Sequence, residues 1–327
     1  MGASRRLLKP GESIDAKTLM SLHFEECRAI IPGFLYMGLT ILASRPKDGK
    51  SFLSLKLGLC LSTGESFLGL PPTRCSVLVM ALEDTLDRIQ DRLKLLPYDK
   101  DESLHFSTVS EGLPEDVFHE LDLQLSKFPD IKLIVIDTLQ KVRHRTGDVS
   151  YGADYEDLGA LKEYADQRGI AIMLLHHTRK AEAESAYDRI GGTSGITGVA
   201  DTLMVLMRHG DEATLSVRSR ETEECEYQLE FHNGDWELAD PAAVEARNEA
   251  ALPEGVRLVE SFMGSRESWS GTFKELLAAL GSPGMTERGL SQQLRDNRET
   301  LAARGISLAS RRTNRGSVLS LTHSSLQ

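Results

Sequence analysis

At 327 residues the chain is long enough for one sizeable α/β domain plus a smaller module, and 38 Lys+Arg against 49 Asp+Glu give it a formal charge of −11. That balance excludes a uniformly basic nucleic-acid coat, and the lack of any run of about 18 apolar residues excludes a helical membrane span. Cys27, Cys60, Cys75 and Cys225 are scattered without a C-x-x-C pair, which excludes a zinc ribbon and suits a reducing cytoplasm.

Residues 1–24 read as an N-terminal extension: no apolar stretch follows its arginines, so it is no secretory signal. Residues 39–43 (LTILA) suit a short buried strand, and 44–51 read SRPKDGKS, one glycine short of the phosphate-loop pattern G-x-x-x-x-G-K-[ST]. A mostly apolar helix over 51–64 follows, closed by Gly64. In that strand–loop–helix setting, the loop Pro46, Lys47, Asp48, Gly49, Lys50, Ser51 and Phe52 would bind the phosphates of ATP, with the main-chain N–H groups after Pro46 wrapping them. Gly49 allows close approach, Lys50 supplies a point charge, and the Ser51 hydroxyl is a Mg²⁺ ligand. The departure is Ser44 in place of the first glycine, which fits if the backbone avoids positive φ there.

Farther along, apolar runs at 75–82, 104–109, 132–136, 170–175 and 202–206 read as strands. Helical spacing covers 84–96, 115–128 and 155–168. The alternation predicts an α/β fold, a mainly parallel sheet with helices on both faces and ligands at the carboxyl ends of the strands. The polar residues ending each run are therefore the candidates. Asp137 ends LIVID and suits Mg²⁺, the alternative being a helix cap. Glu83 ends VLVMAL and suits the general base for water, while Asp84 suits the N-terminal helix dipole. His176 and His177 end IAIMLL; strand alternation lets one of them face the site as a γ-phosphate sensor, and the other is structural.

Taken together, the phosphate loop, the acid after the next strand, LIVID, LLHHTRK, GGTSGITGVADTLMVLMR and VRSR resemble the RecA-type ATPases. The likeness is strongest to the RepA-type hexameric replicative helicases of plasmids and phages, distant relatives of DnaB. It covers about residues 25–240 and includes the lead-in AIIPGFLYMGLTILASRPKDGKS. The resemblance implies a RecA-like core, ATP and Mg²⁺ as cofactors, and a homo-oligomeric ring, a hexamer in that family. It selects His177 as sensor and Arg220, with Arg218 beside it, as an arginine finger reaching a neighbour's site; two outward arginines on a sheet edge are the alternative, and Arg208 is a rival. It also implies that basic loops line a channel for single-stranded DNA, here Lys141, Arg143 and Arg145 after LIVID, and Arg179, Lys180 and Arg189 after the histidines. Only Tyr187 there would offer a base an aromatic platform. Mobile solvated loops are the plain alternative.

Residues 241–255 read as an acidic, partly helical linker. From residue 256 the chain has ten Lys+Arg against six Asp+Glu, leaving 28 against 43 before it. A helix over 272–280, a turn, two further helices and a strand pair closing on Arg311, Arg312 and Arg315 have the order of a winged-helix module over 256–327. Its arginines suit DNA phosphates, and a replication-initiator or primase partner is the alternative use of the module. The functional expectation is Mg²⁺-dependent ATP hydrolysis driving translocation on single-stranded DNA, as the replicative helicase of a mobile element. A RecA-like recombination or repair ATPase, and a nucleotide-switched regulator with slow turnover, are the other readings.

Overall fold

The computed structural model describes residues 13–22, 29–97, 103–108, 117–141, 151–179, 185–191, 194–264, 266–281, 284–313 and 316–323. The chain divides into two compact units, Met1–Ala239 and Asp240–Gln327.

In the first unit, helix α1 (Ala16–Ser21) and the hairpin β1 (Ala29–Ile31) and β2 (Leu35–Tyr36) precede β3 (Gly38–Ser44). Then come α2 (Lys50–Thr63), β4 (Ser76–Ala81), α3 (Leu86–Leu93), β5 (Leu104–Ser107), α4 (Val117–Lys127) and β6 (Ile131–Asp137). The alternation continues through α5 (Tyr151–Arg168), β7 (Ala171–His177), α6 (Ser194–Val199) and β8 (Thr202–His209). β9 (Glu212–Ser219), β10 (Cys225–His232) and β11 (Asp235–Leu238) close the unit.

Among the described residues nine strands form one sheet in the order β11-β10-β9-β8-β3-β7-β6-β4-β5. From β8 to β5 the neighbours are parallel, as strand–helix alternation requires. Beyond β8 the sheet continues antiparallel, an extension the alternation did not foresee. Its cause is local: Gly210-Asp211 and Asn233-Gly234 leave only two residues between strands, and positive φ at Gly210 (67°), Asn233 (51°) and Gly234 (87°) suits tight hairpins.

Period-two alternation within the continuous apolar strands builds a core on each face. Leu42, Val79, Val135 and Met173 pack with Leu53, Leu57 and Leu61 of α2. Ile41, Met80, Ile134 and Leu174 pack with Leu121 of α4 and Leu158 of α5. Helix α3 starts later than its apolar spacing suggested because Thr85 is extended at the N-cap.

In the second unit, part of the expected linker is helix α7 (Pro241–Ala251), whose N-cap Asp240 accepts from the Ala242 N–H at 3.0 Å. α8 (Glu254–Met263), β12 (Ser268–Thr272), α9 (Phe273–Leu280), α10 (Glu287–Asp296), α11 (Arg298–Ala303), β13 (Ile306–Thr313) and β14 (Gly316–His323) follow. Thr272 and Glu275 form a capping box at α9, and Gly281 ends that helix with φ 66°. β14 lies between β12 and β13, antiparallel to both, over a core of Val256, Val259, Leu276, Leu290, Leu301 and Leu319. α8 and β12 are additions to the expected order of elements.

Candidate nucleotide-binding site

β3, β7, β6 and β4 all end on one side of the sheet, and their register sets Ser44 beside His177, Leu175 beside Asp137, and Asp137 beside Ala81. The loop leaving β3 enters α2 at that edge. Ser44 itself is fully buried in the strand; its Oγ donates to the Arg45 carbonyl at 2.9 Å and its own carbonyl accepts the Thr178 N–H at 3.0 Å. Positive φ falls instead at Lys47 (70°) and Gly49 (95°), so a serine at position 44 is unstrained.

Gly49 is the N-cap of α2, and its carbonyl accepts from both the Leu53 N–H and the Trp236 indole Nε1–H, each at 3.0 Å. Lys56 Nζ donates to the Trp236 carbonyl at 2.6 Å and pairs with Asp235 at 2.7 Å. Sequence reasoning missed Trp236; the signal was a tryptophan just after an Asn-Gly turn, and only the sheet order brings it to the loop.

Lys50 is buried, with Nζ 3.2 Å from Nδ1 of His177. Burial lowers the Lys50 pKa, against the pull of the Asp137, Glu83 and Asp48 carboxylates. His177 is likewise lowered, first by burial and then by the Lys50 charge, so its neutral ring can accept from the ammonium. His176 points to the other face, where Nε2 lies 3.0 Å from the Gly191 carbonyl.

Ser51 Oγ donates to Asp137 Oδ2 at 2.6 Å. Burial raises the Asp137 pKa, opposed by that hydrogen bond and by Lys50. Next to the pair is a cavity of about 20 Å³, also lined by Asp84, Arg92 and Phe106, with room for about one water. The Asp137–Thr138 peptide is cis. Glu83 is exposed at the end of β4, and its Oε1 accepts from Thr138 Oγ1 at 3.1 Å. Asp84 is engaged by Arg92 (3.2 Å), and Asp87 takes the first-turn position expected of Asp84.

The structure thus brings Lys50, Ser51, Glu83, Asp137 and His177 to one edge. The donor set fits a magnesium–triphosphate group: the hard oxygens of Ser51 and Asp137 beside a small cavity, a buried ammonium, and the first-turn N–H groups of α2, which have no partner within the helix. Pro46 and Lys47 are exposed and Asp48 is half-buried. Phe52 faces inward, edge-on to Phe231 at 5.4 Å, so its backbone alone is left for phosphate.

The arginines fall elsewhere. Ser219 pairs with Thr202, which pairs with Thr40, so Arg218 and Arg220 sit toward the end of the sheet opposite the loop. Arg220 donates to the Gly198 carbonyl at 2.9 Å and lies 3.6 Å from Asp201, which also binds Lys162 at 2.6 Å. Arg218 pairs with Glu224 at 2.8 Å and covers the Tyr187 ring at 4.0 Å. Arg218 is on β9, which lies between β8 and β10, and Arg220 follows that strand's end, which corrects the sheet-edge alternative. Tyr187 is buried beneath Arg218, which corrects its reading as a stacking platform. Arg208 is at the loop end of β8, but its guanidinium stacks on Phe231 at 4.2 Å. Lys141 and Arg179 are exposed, and Arg189 is half-buried with Nη1 3.3 Å from Met207 Sδ. Arg311 is exposed on β13, and the backbone of Arg312 continues that strand. Arg143, Arg145, Lys180 and Arg315 lie outside the described residues.

Among solved structures, the chain is similar to a KaiC-like protein from the hyperthermophilic archaeon Pyrococcus horikoshii OT3, at 12% identity and a TM-score of 0.48, covering 64% of this chain and 94% of that one. No curated protein matches it. A family model described as an AAA domain matches residues 5–183 of the 327. With that match over more than half its length, and a phosphate loop at the centre of a mainly parallel sheet, the chain belongs to the AAA-domain family and is a P-loop ATPase of the RecA-like kind.

Proposed function

We propose that the chain couples Mg²⁺-dependent ATP hydrolysis to movement along single-stranded DNA as a ring-forming replicative helicase of a mobile element, in the manner of the RepA-type enzymes. The observation that supports this best is the distance between the loop and the arginines. Thr40 and Ser44 are four residues apart on β3, about 13 Å along the strand. Arg220, near the Thr40 level, is therefore poorly placed for its own Lys50 and better suited to a neighbouring copy, as closed head-to-tail assembly allows.

In this reading Lys50 and the first-turn N–H groups hold the triphosphate, and Ser51 and Asp137 hold the cation. Magnesium supplies charge neutralisation on the phosphate oxygens. Glu83, oriented by Thr138, takes the proton of the attacking water, and a neighbour's Arg220 stabilises charge on the transferring group. His177 changes partner when the γ-phosphate leaves. The loop that follows is tied to it by the Gly191 N–H, 3.0 Å from the His177 carbonyl, so Arg179 and Arg189 move with it. Lys141, Arg179 and their basic neighbours track DNA phosphates without reading bases. After α7, the helix–strand–helix–helix–helix–strand–strand order of the second unit supports the winged-helix reading, with Arg311 and Arg312 as contacts for DNA or an initiator or primase partner.

The test is ATP hydrolysis with and without single-stranded DNA, with Lys50→Ala as the blank, followed by unwinding assays and electron micrographs. DNA stimulation, duplex unwinding and closed rings are expected. Stimulated turnover on open filaments without unwinding would instead fit a recombination ATPase. ATP binding with negligible turnover in both conditions would fit a nucleotide-switched regulator.

A further inference from the structure

We infer that Trp236 is a positioning residue of the phosphate loop: its indole N–H orients the Gly49–Lys50 peptide so that the Lys50 N–H faces the phosphates. The inference rests on the ATPase site alone and not on the DNA reading. A trans peptide directs its C=O and its N–H to opposite sides. The Gly49 carbonyl spends its two lone pairs on Leu53 N–H and Trp236 Nε1–H, each at 3.0 Å. That carbonyl cannot then turn, and the Lys50 N–H is held outward from the start of α2.

Three further contacts make the anchor rigid. Trp236 is fully buried, and Phe231 packs on its ring with centroids 4.7 Å apart. Arg208 lies over the same ring at 5.6 Å. Lys56, two turns into α2, holds the Trp236 carbonyl at 2.6 Å and the Asp235 carboxylate at 2.7 Å, so the indole and the helix it orients are tied at two points. The fit is close on the loop side as well. A Cβ on Gly49 would come within 2.9 Å of Trp236 Cζ2, so the ring also specifies glycine at that position. The antiparallel extension of the sheet thereby acquires a purpose within the nucleotide site.

The experiment uses the full chain and Mg-ATP, without DNA, so its outcome is separate from that of the helicase reading. Trp236→Phe keeps an aromatic ring and removes the donor. We expect the KM for Mg-ATP to rise about three- to tenfold, the loss of one hydrogen bond, with kcat within about twofold. The second measurement is the indole N–H resonance. The chain has two tryptophans, Trp236 and Trp269, and in a Trp269→Phe background the remaining indole signal is expected to shift on saturation with Mg-ATP. An unchanged KM in Trp236→Phe overturns the inference. If that variant does not fold, the indole signal decides: a shift supports the assignment, and a signal that stays fixed at saturating Mg-ATP overturns it.

Discussion

Lys50 Nζ sits 3.2 Å from Nδ1 of His177, so the direct side-chain partner of the loop ammonium is a neutral ring at the tip of the adjacent strand. A neutral acceptor holds the lysine in place without neutralising it, leaving its charge for phosphate. Lys50→Met is expected to cut ATP hydrolysis by about 10²-fold or more. It should also raise the His177 pKa, since one of the two influences lowering it is the Lys50 charge. NMR titration of the His177 ring checks this; an unchanged or lower value would refute it.

The same depressed pKa fixes a pH dependence of stability. Folded His177 titrates below its ordinary value of about 6.5, so on acidification the unfolded ring takes up its proton first. Its contribution is complete above about pH 6.5 and is lost as pH falls through the folded-state value. Urea unfolding of the wild type and His177→Gln between about pH 5 and 7 should give a shallower slope in the variant. Parallel curves would argue against a ring held neutral by its surroundings.

At the two ends of the loop, losing a glycine and gaining one should both destabilise the fold. Gly49→Ala places a Cβ at φ 95° and 2.9 Å from Trp236, and should destabilise the fold by about 1–3 kcal/mol. Ser44→Gly restores the usual loop pattern but puts glycine into a buried strand. It should cost about 0.5–1 kcal/mol without improving Mg-ATP affinity. Tighter binding by Ser44→Gly would show the serine to be a defect.

Ser51→Ala removes the donor to Asp137 and one oxygen for the cation. The Mg²⁺ concentration for half-maximal hydrolysis should rise several-fold. Metal-free stability should fall by about 1–3 kcal/mol, because a buried carboxylate oxygen loses its partner. Both are read by titrating Mg²⁺ and by denaturation in chelator.

If copies assemble as proposed, Arg220→Ala should lower turnover while leaving Mg-ATP binding within about twofold, as a transition-state contact would. Mixing it with Lys50→Ala protein should restore part of the activity if the arginine acts between copies. No recovery in mixed assemblies would argue for an action within one chain.

The sequence by itself determined the parallel half of the sheet and the chemistry-bearing tips of its strands. Each apolar run is buried on both faces and gives way to a polar residue at its carboxyl end, so 39–43, 132–136 and 170–175 carried Ser44, Asp137 and His177 to the same edge. The Gly64 cap was legible for the same local reason: a helix end needs a particular residue. What only the tertiary structure decided depends on residues far apart in the chain. Which histidine meets Lys50 follows from strand register, and the Trp236 bond to Gly49 spans 187 positions. The burial of Tyr187 under Arg218 and the placement of both finger candidates away from the loop follow from the antiparallel turn at Gly210. Periodicity reports which side of an element is apolar; it does not report which distant element covers that side, and at this site that distinction separates Asp137 from Trp236.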